Sequence, residues 1–87
     1  MIVTTLTIKD EIGFHARTAA LFAKSAAQFS ASIFVTFNNK KVNAKSTLSL
    51  MTLGVKSQDK ITLEIDGQDE NEAHTTLTEM INSNFKS

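Results

Sequence analysis

Cysteine, proline, tryptophan and tyrosine are all missing from this 87-residue chain. Without cysteine there is no disulfide, no thiolate nucleophile and no sulfur-ligated metal. A secreted domain this small usually depends on such staples, so an intracellular, cytoplasmic address is expected. Charge of one sign is lacking too, with nine Lys and Arg against nine Asp and Glu. Scattered and balanced charge gives no field that favours nucleic acid or an anionic membrane. No apolar run is long enough to span a bilayer. The start Met1-Ile2-Val3-Thr4-Thr5 has no charged leader and does not read as a signal peptide. There is no linker, low-complexity tract or internal repeat. Residues 1–87 are therefore expected to form one small domain, with a sheet and a few helices but no deep cleft between lobes.

What is present is a clear succession of patterns. Residues 2–8 read as a strand with Ile2, Leu6 and Ile8 on one face and Val3, Thr5 and Thr7 on the other. Residues 33–37 are β-branched and aromatic, and form a second strand. Asn38-Asn39 suits a tight turn into a short third strand over 40–43. Residues 60–66 alternate, with Ile61, Leu63 and Ile65 inward and Lys60, Thr62, Glu64 and Asp66 outward. Helices are expected over 16–28, over 47–53 ending near Gly54, and over 70–84. The last carries an apolar stripe of Ala73, Leu77, Met80 and Ile81, with Asp69 and Glu72 at capping-pair spacing. The order β-α-β-β-α-β-α with polar outer strand faces predicts an α+β open-faced β-sandwich. Its four-stranded antiparallel sheet would carry three helices on one face, the last strand lying between the first and second in a split βαβ arrangement.

The most informative run is Gly13-Phe14-His15-Ala16-Arg17, at the junction of the first strand and the first helix. Histidine there is either an exposed helix cap or a nitrogen nucleophile beside an anion site. The first amides of a helix have no internal partner, so they favour phosphate-sized anions. Gly13 permits a bend before the helix. Ala16 leaves the ring open to a large partner. Arg17 offers a rigid fork of donors suited to phosphate oxygens. A neutral imidazole could take a phosphoryl group while the amides of Ala16 and Arg17 and the guanidinium hold the new oxygens.

With that run followed by Ala19, and with Ala44-Lys45-Ser46 followed by Leu48, Met51, Leu53 and Gly54, the chain resembles HPr. HPr is the histidine-containing phosphocarrier family of the bacterial phosphoenolpyruvate-dependent sugar phosphotransferase system. Asp66-Gly67 and Asp69-Glu70 also fit, and the resemblance spans essentially the whole chain. It implies a phosphoryl group on the δ (pros) nitrogen of His15, received from Enzyme I and delivered to the IIA units of sugar permeases. It implies no enzyme activity of the chain's own and no cofactor. The family usually carries proline where this chain has Thr18. Threonine restores an N–H and adds a hydroxyl, so the carrier role is expected to survive with an altered phosphohistidine lifetime or partner preference.

Ser46 precedes the short helix and reads as its N-cap, with Ser49 rather than Glu or Gln at the capping-box position. The resemblance implies a second role that is compatible with the first. Ser46 matches a serine phosphorylated by HPr kinase/phosphorylase in many Gram-positive-type bacteria, which adds that kinase and a catabolite-repression regulator as expected partners. Thr47 stands where the family commonly has a larger apolar residue.

Helical phase adds a further signal. Leu50 and Leu53 project one way on the short helix and Leu48 and Met51 nearly the other, so one sheet cannot bury both pairs. On the first helix, Ala16, Ala19, Ala20, Phe22, Ala23, Ala26 and Phe29 are expected to face inward, and Leu21 outward among Arg17, Lys24 and Gln28. Leu21, Leu48 and Met51 are either scattered surface apolar residues or an apolar docking patch with a basic rim. In the second case Lys24 and Thr47 join the partner surface, and the small side chains of Ala20 and Ala27 allow close approach. His74 reads as a surface histidine and Phe34 and Phe37 as core or sheet-face residues. No set of side chains has metal-ligand spacing. The leading reading is a monomeric phosphocarrier. A regulatory paralogue acting by protein binding is the alternative, and a small nucleic-acid-binding domain is disfavoured by neutral charge and the lack of Tyr and Trp.

Overall fold

A computed structural model describes residues 1–85. The elements run β1 (Ile2–Thr7), α1 (Ala16–Ala26), β2 (Ser32–Phe37), β3 (Lys40–Asn43), α2 (Thr47–Met51), β4 (Lys60–Asp66) and α3 (Glu70–Asn82). The sheet order is β1-β4-β2-β3, with every neighbouring pair antiparallel. β1 and β2 are therefore parallel to one another with β4 between them, the expected split βαβ arrangement. The β2–β3 hairpin turns through Asn38 and Asn39, both left-handed at φ 54° and 66°. Those angles match the right-handed twist of the strands, and asparagine tolerates them better than most residues.

Register decides which residues meet the helices. Ile2, Thr4 and Leu6 stand opposite Ile65, Leu63 and Ile61, while β2 sets Ile33 and Val35 against the same Ile65 and Leu63. Ile33, Val35, Ile61, Leu63 and Ile65 are buried, as are Ala73, Leu77 and Ile81 of α3 and Phe22 of α1. Fully burying one such side chain contributes about 1.5–3 kcal/mol, so this one layer drives the fold. The opposite face stays open. There Val3 is exposed, and Lys41 pairs with Glu64 at 2.8 Å while its ammonium lies 4.8 Å from the Phe34 ring centre.

Several expectations are corrected. The helices are shorter than the patterns suggested, ending at Ala26, Met51 and Asn82, because each last turn closes through its cap residue and leaves the helix. Ile8 lies just beyond β1, yet it is buried. Ala16 and Ala20 are exposed rather than inward, and the buried face of α1 includes the polar Thr18 and Ser25. Leu21 is half-buried against the core instead of facing outward. Asp69 makes no capping bond to α3. Its carboxylate accepts from the main-chain N–H groups of Ser30 (2.8 Å) and Ala31 (2.9 Å), tying the start of α3 to the turn after α1. His74 is half-buried, with Nε2 2.8 Å from the Thr4 hydroxyl.

Candidate functional site

The loop from β1 to α1 is fixed at three points. Gly13 has φ +93°, and a Cβ there would sit 2.2 Å from the Val55 carbonyl oxygen, so only glycine fits. Phe14 donates its N–H to that same carbonyl at 3.1 Å. Its ring is buried against Phe22 and Phe85, with centroids 5.5 and 5.9 Å away. With Phe14 pinned inward, the extended backbone of His15 turns its ring the other way, at the N-cap of α1.

Thr18 locks this junction from inside the helix. Its hydroxyl donates to the Gly13 carbonyl at 2.7 Å and accepts the His15 N–H at 3.1 Å. The side chain is fully buried, which is tolerable because the hydroxyl is satisfied in both directions. Here a side-chain hydroxyl does the local bracing that a first-turn proline does by restricting φ.

The His15 side chain is 29% exposed, its Nε2 3.6 Å from Asp10 Oδ1. Asp10 is itself nearly enclosed. Its Oδ1 accepts from the N–H groups of Ile12 (2.9 Å) and Gly13 (3.2 Å), and its Oδ2 lies 3.8 Å from the Arg17 guanidinium. Asp10, Glu11, Ile12, His15, Arg17 and Asn84 line one open cleft of about 340 Å³. The N–H groups of Ala16 and Arg17 belong to the first turn of α1 and have no acceptor within the helix. The Arg17 side chain is 61% exposed at the edge of the cleft. The imidazole and the guanidinium thus share one small open cleft, at the end of α1 where the helix amides lack internal acceptors. Larger clefts elsewhere run along α3 and are lined by groups such as Thr76, Glu79 and Met80, with no comparable nucleophile.

Asp10, Ile12 and Asn84 do not figure in the sequence reading. Asp10 left a trace, an acidic residue three before a glycine, which is the pattern of a side chain that accepts main-chain N–H bonds in a turn. Asn84 left none. It reaches the cleft because Asn84 and Phe85 both adopt left-handed angles after α3, where Phe85 donates to the Met80 carbonyl at 2.7 Å and packs on Phe14.

Ser46 lies at the N-cap of α2, accepting the Ser49 N–H at 3.2 Å through its side-chain oxygen. Leu50 and Leu53 are buried, while Leu48 is 73% and Met51 40% exposed. Thr47 is half-buried, Ala20 and Lys24 are exposed on α1, against which α2 packs, and Ala27 is exposed at the C-cap of α1. Among the described residues no cluster of His, Cys, Asp and Glu could hold a metal ion, and no helix is long and apolar enough to cross a membrane.

The fold and the histidine at the start of α1 match one class of protein, the small open-faced sandwiches of the HPr family. The family model described as "PTS HPr component phosphorylation site" matches residues 2–83. The phosphocarrier protein HPr of Neisseria meningitidis serogroup A is 40% identical over 85 residues, covering 98% of this chain and 96% of the relative. The HPr-like protein Crh of Halalkalibacterium halodurans is 42% identical over 81 residues, covering 93% and 96%. The crystal structure of HPr from Thermoanaerobacter tengcongensis superposes with a TM-score of 0.94 at 46% identity, covering 98% and 96%. The chain belongs to the HPr family of phosphotransferase-system phosphocarriers.

Proposed function

We propose that the chain is a cytoplasmic, monomeric phosphoryl carrier that accepts its group on Nδ1 of His15 from phosphorylated Enzyme I and delivers it to IIA units of sugar permeases. The observation that supports this reading is the cleft at the start of α1, lined by the imidazole and the guanidinium, with His15 at the N-cap of the helix whose first amides include those of Ala16 and Arg17. The neutral ring attacks phosphorus in line, and the equatorial oxygens meet the amides and Arg17. Each helix-terminus interaction stabilises the anion by about 0.3–2 kcal/mol, and a charged hydrogen bond from Arg17 by about 1.5–3 kcal/mol. Those sums steady the N–P bond without trapping it. Turnover then belongs to the partners, and the carrier is their shared substrate. Exposed Leu48 and Met51, with Ala20, Lys24, Ala27, Thr47 and the half-buried Leu21, supply the surface on which Enzyme I and IIA dock.

Incubation with phosphoenolpyruvate and Enzyme I tests the reading. One acid-labile phosphate is expected on the wild type and none on His15→Ala; a wild type that gains no such phosphate overturns it.

The likeness to Crh favours a second, regulatory layer. In that layer HPr kinase/phosphorylase modifies Ser46, and the stable phosphoserine recruits a catabolite-repression regulator. The added charge of about −2 would lie at the docking surface and repel acidic partners. A chain that gains an acid-stable phosphate from ATP and that kinase, but no acid-labile one, would be regulatory alone.

A further inference from the structure

We infer that Asp10 is a positioning residue for the phosphoryl transfer, holding the proton on Nε2 of His15 so that Nδ1 keeps its lone pair. This rests on the carrier reading of His15 and adds a residue and an electrostatic role to it.

The carboxylate cannot drift. Two main-chain N–H groups, those of Ile12 and Gly13, hold Oδ1 in place, and the side chain is only 11% exposed. The same oxygen faces Nε2 at 3.6 Å, within ion-pair range and just outside hydrogen-bond range. A neutral imidazole carries its proton on one nitrogen only, and the neighbour of each nitrogen decides which. An anion beside Nε2 favours N–H there, leaving Nδ1 as the nucleophile.

The same contact serves the phosphorylated state. When the Nδ1 lone pair attacks phosphorus, the bond from phosphorus to the donor's leaving atom breaks and its electron pair departs with the donor. The ring keeps its Nε2 proton and becomes a cation, facing Asp10. On delivery, the acceptor's lone pair attacks phosphorus and the Nδ1–P electron pair returns to the ring, which is again neutral with its proton still on Nε2. No proton has to enter or leave the carrier in the cycle. Arg17 completes the exchange. In the free protein its guanidinium shares Asp10 at 3.8 Å. A phosphoryl group draws it off to bind oxygens, and the carboxylate is left to the ring at the moment the ring is charged. Keeping Nε2 protonated makes the ring a better leaving group, so Asp10 favours transfer over storage.

Asp10→Asn separates charge from architecture, because its side-chain oxygen can still accept from Ile12 and Gly13. Two measurements are needed. Nitrogen-15 shifts of the His15 ring in mildly alkaline wild-type protein report which nitrogen holds the proton, and Nε2–H is expected to predominate. After phosphorylation of both proteins by Enzyme I, the Asn variant is expected to lose its phosphate to water, and to pass it to a IIA acceptor, about three- to fivefold more slowly, as the loss of one partly exposed charge pair predicts. Its amide spectrum should otherwise match wild type. A wild-type ring protonated mainly on Nδ1, or equal hydrolysis and transfer rates in a folded Asn variant, overturns the inference. Both results leave the carrier reading intact, which fails only if the wild type takes up no acid-labile phosphate.

Discussion

Two helix starts in this molecule use their N-cap residues in opposite ways. At α2 the cap behaves in the ordinary manner, and the Ser46 side-chain oxygen accepts the Ser49 N–H. At α1 the roles are reversed. The third helical residue, Thr18, reaches back to the main-chain N–H of His15 and to the Gly13 carbonyl, so the bracing comes from within the helix. A cap side chain committed to its own helix is stabilising and chemically occupied. One relieved of that commitment is available for other chemistry. The difference lies in one hydroxyl, buried under the turn that presents the imidazole.

The largest effect expected from breaking this contrast is functional. His15→Ala abolishes acid-labile phosphorylation while costing only about 0.5 kcal/mol of stability, at the low end for loss of a helix cap, because the ring's capping-box approach to the third helical N–H falls short of a full cap hydrogen bond. Calorimetry alongside the phosphorylation assay checks both halves. Ser46→Ala should do the reverse, costing stability of about 1 kcal/mol through the lost cap and sparing uptake of phosphate on His15.

Next in size is the bend that precedes the cap. Gly13→Ala forces a Cβ against the Val55 carbonyl at a positive φ, and urea denaturation is expected to show a loss of about 2–4 kcal/mol from strain and overpacking together. Phosphorylation of the folded fraction should also slow, because the whole loop must shift. A loss below about 0.5 kcal/mol would mean that the approach of the loop to Val55 is not tight in solution.

Thr18→Val tests the hydroxyl itself at nearly constant shape. It leaves the Gly13 carbonyl and the His15 N–H without their partner, which costs about 1–3 kcal/mol, and Thr18→Ser should recover most of it. If Val equals Thr in stability, the hydroxyl does not brace the junction.

The sequence made the frame of this site readable and hid its interior. Alternation over 60–66 showed which face of β4 is buried, and phase alone separated buried Leu50 and Leu53 from exposed Leu48 and Met51. Such signals are periodic and local. Helix ends were overextended because Ala27, Thr52 and Ser83 continue the pattern without a glycine to stop it, and only the closing hydrogen bonds reveal the last turn. The inward side of α1 was drawn too wide for a related reason: alanine fits either environment, so Ala16 and Ala20 carry no phase information. Asp10 and Asn84 went unread because tertiary contacts bring them to the cleft, one through a loop curled at Gly13 and the other from the far end of the chain.

A third helix start gives the smallest and most easily isolated effect. Asp69 sits at the cap of α3 but bonds across to the main chain at Ser30 and Ala31. The Ser30 N–H above all, then that of Ala31, outweighs partial desolvation and holds this carboxyl below the ordinary aspartate range. Because the folded value lies below the unfolded one, the contribution to stability is complete above the ordinary range and fades as the pH falls through the folded value. Asp69→Asn cannot reproduce both bonds, since its amide nitrogen would face one N–H with another. The variant should melt slightly lower than wild type at neutral pH, and the gap should close in acid. Melting curves across that range decide the matter. A gap that stays constant to low pH would mean that shape at the α1–β2 turn, and not the charge of Asp69, is what ties α3 to it.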